Sequence, residues 1–103
     1  MSQTSEPLTP GTPINLTLTD ANTEYTATIP VGTKRIRFQA RTSAVVRYAF
    51  VTGKVATPTA PYMTLKADGV YDSAEKLSWG GTLYFGTPTA TTVVEIETWA
   101  APT

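Results

Sequence analysis

Cysteine and histidine are both absent from the 103 residues of the chain. Without cysteine the chain forms no disulfide and offers no thiolate nucleophile, and without histidine it has no imidazole to relay protons. The usual ligands of zinc, copper and haem are missing for the same reason. We therefore expect no bound metal and no cofactor, and we predict that the protein is not an enzyme.

A net charge is also lacking, because eight basic and eight acidic side chains cancel. Such a chain has no long-range field that would hold a phosphate polymer or an anionic membrane. We therefore expect neither nucleic acid nor a membrane as a partner. The weak self-repulsion suits a protein that packs against copies of itself or against a larger assembly.

Long apolar runs are missing as well, since eighteen apolar residues never occur together and no basic segment precedes an apolar one at the N-terminus. We therefore expect neither a membrane span nor a signal peptide. The first 13 residues, Met1 to Pro13, hold three prolines and mostly small polar side chains, which predicts an extended arm. The chain length fits one domain, which we place at residues 14–103.

The chain does contain a repeated alternation of apolar and polar residues, seen first at Ile14, Leu16 and Leu18. This period of two is typical of half-buried strands. Threonine fills 21 of 103 positions, which favours solvated strand faces over helices. We predict an all-β fold, a small antiparallel β-sandwich or jelly-roll-like barrel of 7–8 strands. The further strand segments are residues 25–29, 36–40, 44–51, 62–66, 77–79, 82–85 and 91–99.

Two glycine-containing segments are predicted to be turns between these strands. Pro30 to Thr33 would end one strand and start the next, with Gly32 at the positive φ of a tight turn. Gly80 and Gly81 form a two-residue hairpin signal, because both positions tolerate positive φ.

The strand at residues 44–51 is apolar on nearly both sides. Its inward set is predicted to be Val46, Tyr48 and Phe50. Arg47 then lies on the outer face of the sheet.

Two carboxylates, Glu95 and Glu97, make the most enzyme-like feature of the sequence. They share a strand face about 6.5 to 7 Å apart by strand rise, a spacing that overlaps with glycosidase pairs. Alternating polar residues on an outer strand produce such pairs automatically, so we favour a solvated face or ion pairs over catalysis.

A stripe of positive charge lies on two strands that we predict to be neighbours. We favour ion pairs across strands with Glu95 and Glu97, each contributing about 0 to 1 kcal/mol. A contact between subunits is the second interpretation, with Arg35, Arg37, Arg47, Glu95 and Glu97 as candidate contact residues, and polyanion binding is the third. The stripe consists of Arg35, Arg37, Arg41 and Arg47, with Lys34 before them.

Four aromatic residues are only weakly assigned to the core: Tyr62, Tyr71, Trp79 and Trp99. Tyr71 and Trp79 are the candidate exposed aromatics, on which a sugar ring would stack. The favoured alternative is that aromatics supply bulky core mass, with tyrosine hydroxyls reaching the rim.

The layout of strands and turns resembles that of small β-sandwich structural proteins of tailed bacteriophages, of the capsid decoration or head-fibre type. The resemblance covers about Ile14 to Trp99 and no catalytic signature belongs to it. The residues that carry it are Tyr25–Ile29, Pro30, Gly32, Ile36, Phe38 and Arg41, then Gly81–Phe85 and Val94–Trp99.

This resemblance implies a structural role on a virion after synthesis in the host cytoplasm. It also implies a homo-oligomer, often a trimer, that contacts capsid or other virion proteins, with the N-terminal arm reaching over a neighbour. The alternative is a carbohydrate- or receptor-binding module of a phage tail or fibre.

Overall fold

The computed structural model describes residues 8–73 and 79–101. Within these ranges the chain has eight strands, all paired antiparallel in one sheet, and no helix. The predicted fold class, a small antiparallel β-sandwich or barrel-like fold of 7–8 strands, is confirmed. The strands are β1 (Thr9–Pro10), β2 (Ile14–Leu18), β3 (Tyr25–Ala40), β4 (Val46–Ala49), β5 (Met63–Leu65), β6 (Val70–Asp72), β7 (Trp79–Gly86) and β8 (Thr92–Ala100).

The sheet follows the order β1-β8-β3-β7-β4-β5. β2 also pairs with β8, and β6 also pairs with β3. β7 lies along the first half of β3 and β6 along the second half, both on the edge opposite β8. β3 is therefore the central strand, and β5 is the last strand at one end of the order.

β3 corrects one of the predicted turns. The segment from Pro30 to Thr33 does not reverse the chain, because β3 continues through it as a single strand of 16 residues. Gly32 does adopt the expected positive φ, 86°, but the pairing shifts register on either side of Thr33, which marks a β-bulge. The extra residue bends the strand and switches the inward-facing alternation from Ile29 and Thr33 to Ile36 and Phe38.

The predicted hairpin at Gly80 and Gly81 is also wrong, since β7 runs straight through both glycines. A Cβ atom on Gly80 would collide with the backbone of Pro30 and Val31, and one on Gly81 would lie 2.7 Å from the Trp79 ring. These glycines therefore allow the bulge of β3 and the Trp79 ring to approach β7 closely. The preceding predicted strand, residues 77–79, lies outside the described residues except for Trp79.

The core lies on one face of the folded sheet. Phe38 is its centre: its ring meets Tyr48 edge-on at 5.0 Å, Phe85 edge-on at 5.2 Å and Tyr71 stacked at 4.8 Å. A fully buried side chain such as that of Phe38 or Phe85 contributes about 1.5 to 3 kcal/mol to the free energy of unfolding. The buried cluster comprises Leu18, Ala27, Ile29, Ile36, Phe38, Val46, Tyr48, Leu65, Leu83, Phe85, Val94 and Ile96.

The described part of the predicted N-terminal arm is extended and pairs with its own chain. Thr9 and Pro10 lie opposite Ala100 and Trp99, and the Gly11 amide donates to the Thr98 carbonyl at 2.8 Å. Residues 1–7 lie outside the described residues. That the arm reaches over a neighbouring subunit stays a prediction.

Candidate functional site

The outer face of β3 and β8 carries the predicted positive stripe, and its charges are paired. Arg37 Nη1 lies 3.0 Å from Glu97 Oε1, its directly opposite neighbour, and Arg41 Nε lies 2.9 Å from Glu95 Oε2. The favoured interpretation of ion pairs across strands is thus confirmed for these two arginines. Partial exposure limits the contribution of such pairs to about 0 to 1 kcal/mol each.

Arg35 belongs to the same outer face but pairs with β6. Its Nη2 and Nε atoms lie 2.6 and 3.0 Å from the two carboxylate oxygens of Asp72, a bidentate contact. Its guanidinium also lies over the Trp99 ring, 4.6 Å from the ring centre. Asp72 of β6 is therefore an ion-pair partner of this arginine.

Glu95 is held as a carboxylate. It accepts hydrogen bonds from Arg41 and, at 3.2 Å, from the Gln39 amide, and these bonds hold the pKa of Glu95 below its ordinary value. A general acid of a glycosidase needs the opposite shift, a raised pKa. A shallow polar groove of about 200 Å³ lies here, lined by Pro13, Asn15, Arg37, Gln39, Glu95 and Glu97.

Arg47 lies on the face of β4 opposite Val46 and Tyr48, as predicted, but its predicted membership of the stripe is wrong. β4 neighbours β7 and β5, not β3, so Arg47 is remote from the stripe. The side chain is buried, with 7% of its surface exposed. Its guanidinium donates to the carbonyls of Val55 and Ala56, at 2.8 and 3.2 Å, and to Asn22 Oδ1 at 3.0 Å.

These bonds attach the loop at residues 52–61 to the outer face of β4. Val55, which belongs to this loop, is fully buried, so β4 is covered on both faces. The start of the loop is attached separately, because the Glu24 carboxylate accepts from the Thr52 hydroxyl at 2.7 Å and from the Gly53 amide at 2.8 Å. Sequence reasoning missed these anchors. The available signals were the apolar character of β4 on both sides and an arginine within it.

The two candidate exposed aromatics, Tyr71 and Trp79, are partly buried and pack against the core. Tyr71 stacks on Phe38, and Trp79 meets Phe50 edge-on at 5.4 Å. Burial and the neighbouring Tyr71 raise the pKa of Tyr48 above its ordinary value. Both rings therefore add to the core, as the favoured interpretation expected, and they do not form an open platform.

An apolar groove next to β5 was not predicted. Phe50 was predicted to point inward, on the same face as Tyr48. The core ends before Phe50, however, and 54% of this side chain is exposed. Met63, directly opposite Tyr48 on β5, is 58% exposed, and Val51 is 54% exposed. The groove has a volume of about 180 Å³ and is lined by Tyr48, Ala49, Phe50, Val51, Pro61, Tyr62 and Met63.

β5 leaves one edge of its backbone unpaired within the part of the chain that the structure describes. It pairs only with β4 there and stands last in the strand order. We refer to β5, with its exposed Met63, together with the exposed Phe50 and Val51 that follow β4 as the β5 edge. A sheet edge of this kind is a template for another strand, and exposed apolar side chains beside it favour such pairing.

Two further acidic residues, Asp68 and Asp72, engage a hydroxyl and a basic group. Asp68 accepts from the Ser43 hydroxyl at 3.1 Å, and Asp72 pairs with Arg35. Within residues 8–73 and 79–101, no three acidic side chains are grouped closely enough to hold a metal ion. The same ranges contain no helix of the length and apolar character needed to cross a membrane.

Comparison of the chain with protein-family models, with curated proteins and with solved structures found no match.

Proposed function

We propose that the protein is a non-enzymatic structural subunit of a virus particle, of the type that decorates a tailed-bacteriophage capsid or forms a head fibre. The single observation that carries the proposal is the β5 edge, where an unpaired strand and three large apolar side chains meet the solvent. The resemblance in the layout of the strands supports a phage particle, whereas the segments at Gly32 and Gly80–Gly81 run on within strands and do not add to it.

The β5 edge supports a contact-making role on physical grounds. Backbone pairing along an edge gives affinity, and alternate side chains in an adjoining groove give specificity. The edge is short, with Met63–Leu65 in strand conformation. A partner must therefore use the apolar groove as well as the backbone.

The paired charges of the outer face also support a passive structural role. Glu95 and Glu97 are engaged with arginines, and the lowered pKa of Glu95 keeps it ionised at neutral pH. The outer face therefore presents balanced pairs, which neither repel a second copy nor attract a polyanion.

Purified particles test this proposal. Mass spectrometry of particles from the host that carries the gene is expected to find the chain in fixed ratio to the major shell protein. Immunogold labelling is expected to place it on the head. Sedimentation of the chain apart from intact particles would contradict the proposal.

A second candidate is a carbohydrate- or receptor-binding module of a phage tail or fibre, and the polar groove on the outer face favours it. Asn15 and Gln39 border that groove beside the two carboxylates, and such groups match the hydroxyls of a sugar. A glycan array separates the candidates: binding that is lost in Gln39→Ala but kept in Lys66→Ala supports this module, and a blank array rejects it for the glycans displayed.

A further inference from the structure

We propose that β5 pairs antiparallel with the β5 strand of a second copy of this chain, which joins the two sheets across a two-fold axis. This inference rests on the proposed function in that it names a partner for the β5 edge. It goes beyond that function by specifying the symmetry, the register and the residues of the contact.

Within the described residues, the backbone of β5 is paired with another strand on one side only. Val46, Arg47 and Tyr48 of β4 lie opposite Leu65, Thr64 and Met63, and the described residues place no strand on the other side of β5. The same edge on a second copy presents the identical pattern of donors and acceptors. A two-fold contact requires such a self-complementary surface.

The register follows from the centre of the strand. If Thr64 lies opposite Thr64 of the second copy, Met63 lies opposite Leu65, because antiparallel pairing reverses the order. In this register Tyr62 lies opposite Lys66, so an aromatic ring faces a cation. The two Lys66 residues are four positions apart along the paired strands, about 13 Å, which exceeds the screening length at physiological salt.

The side-chain directions agree with this register. Met63 and Leu65 lie opposite Tyr48 and Val46, so all four point to the core face of the sheet. Opposed residues of an antiparallel pair share a face, so Met63 would lie beside the buried Leu65 of the second copy. Pairing would therefore extend the core past its present end at Phe50 and Met63.

The β5 edge is also held in place before a partner arrives. The loop at residues 52–61, which leads into β5, is attached by Arg47 in its middle and by Glu24 at its start. A surface ordered in advance loses less conformational entropy on association. This favours a contact made by the folded chain without rearrangement.

Charge favours a second copy over a strongly charged segment of another protein. The groove is lined by uncharged side chains alone. Lys66 follows β5 in the chain, and Arg47, opposite Thr64 on β4, is buried and bonded to the loop. An acidic or basic strand would gain no ion-pair partner along β5 beyond that lysine. An uncharged, identical strand matches the edge.

Sedimentation equilibrium over a range of concentrations tests the contact. Wild type is expected to show a monomer–dimer equilibrium or a higher even-numbered state. Met63→Lys puts a charge beside the buried Leu65 of the second copy and is expected to weaken association about tenfold or more. Val31→Lys is the matched control, because Val31 is 93% exposed at the β3 bulge, away from β5, and it is expected to associate like wild type.

The register has its own test, because the chain contains no cysteine. In Thr64→Cys, two thiols would face each other across the axis within the Cα separation that a disulfide accepts. A mild thiol oxidant, which takes up the two electrons and two protons, is expected to give a covalent dimer. Thr26→Cys, an exposed threonine on β3, is expected to remain monomeric on a denaturing gel.

The outcomes separate this inference from the proposed function. A wild type that stays monomeric at all concentrations, or a trimer that Met63→Lys leaves intact, overturns the β5 pairing, whereas particle binding would still support the structural role. If the wild type is a monomer and Met63→Lys loses particle binding, the β5 edge contacts a shell protein. The proposal that a second copy binds this edge is then overturned. Even-numbered association without particle binding upholds the pairing and contradicts the proposed function.

Discussion

At the scale of single residues, Arg47 shows how a charge can serve packing inside a small sheet protein. It is buried, and the acceptors found for it are two backbone carbonyls and an amide oxygen. Removing the donors would leave the buried Val55 carbonyl, and two part-buried acceptors, without their bonds. The sequence placed Arg47 with the surface arginines because alternation along a strand does not reveal that a loop covers the outer face.

We expect Arg47→Met to lower the free energy of unfolding by about 2 to 3 kcal/mol, because the buried Val55 carbonyl and two part-buried acceptors lose their donor. Urea denaturation followed by tryptophan fluorescence measures the change. Arg37→Met is the control, since it removes a partly exposed ion pair and is expected to cost about 0 to 1 kcal/mol. Equal effects of the two substitutions would mean that Arg47 does not hold the loop.

Glu95 makes a pH-dependent contribution whose sign follows from its environment. Hydrogen bonds from Arg41 and Gln39 lower its pKa in the folded chain below the ordinary value of 4.5. A carboxyl with a lower pKa when folded stabilises the protein above pH 4.5, and this stabilisation is lost as the pH falls through the folded-state pKa.

We expect an NMR titration to find Glu95 below its ordinary pKa in wild type and closer to it in Arg41→Gln. Lys66→Gln removes a cation that is not among the partners of Glu95 and is expected to leave the titration unchanged. A raised pKa in wild type would contradict the arrangement and would reopen a role for Glu95 as a general acid.

At the scale of elements, alternation predicted the strands well and the turns between them poorly. Residues 14–18, 25–29, 36–40 and 92–99 are strands as expected. Turn chemistry is ambiguous, because glycine and proline serve a β-bulge or a close backbone approach as readily as a reversal. The long-range pairing of β3 with both β7 and β8 decided between these uses, and local sequence carries no information about it.

Threonine shows a second limit of the same kind. The abundance of threonine predicts solvated strand faces, yet Thr33, Thr87 and Thr92 are buried. Their hydroxyls donate to the carbonyls of Pro30, Val45 and Thr89. Satisfied in this way, a threonine packs as a β-branched core residue.

The close approach of β7 to the β3 bulge gives a prediction for Gly80. A methyl group there would collide with the Pro30–Val31 backbone, so we expect Gly80→Ala to destabilise the fold by about 1 to 3 kcal/mol. Thermal unfolding measures the change. Thr28→Ala, at an exposed position of β3, is expected to stay within about 0.5 kcal/mol of wild type. Wild-type stability in Gly80→Ala would show that the strands are farther apart.

At the scale of the whole molecule, the order of the strands determines what the protein offers to a partner. The sequence predicted the fold class and the inward faces, but it did not show that β4 lies apart from β3 or that β5 ends the sheet. For that reason the candidate contacts were sought on the arginine stripe. In the structure Arg35, Arg37 and Arg41 pair within the chain. Three of the large apolar residues that stay exposed, Phe50, Val51 and Met63, lie at the β5 edge, and Val31 and Val70 lie at the β3 bulge and on β6.

The polar face therefore contributes little to assembly in this account, and the β5 edge contributes most. Association through the edge should be insensitive to salt, because apolar burial and backbone hydrogen bonds are screened far less than exposed ion pairs. A steep loss of association between low and high salt would instead indicate that the charged outer face makes the contact. Its contact residues would then be Arg35, Arg37, Glu95 and Glu97.

Hydrogen exchange of the β5 amides, compared between dilute and concentrated protein, tests the central claim most directly. The account predicts that exchange at Met63–Leu65 slows as the concentration rises, while exchange at the opposite end of the sheet, in β1, does not change. Exchange at β5 that is independent of concentration, in solution and on assembled particles alike, would contradict the claim that this edge is the contact surface of the protein.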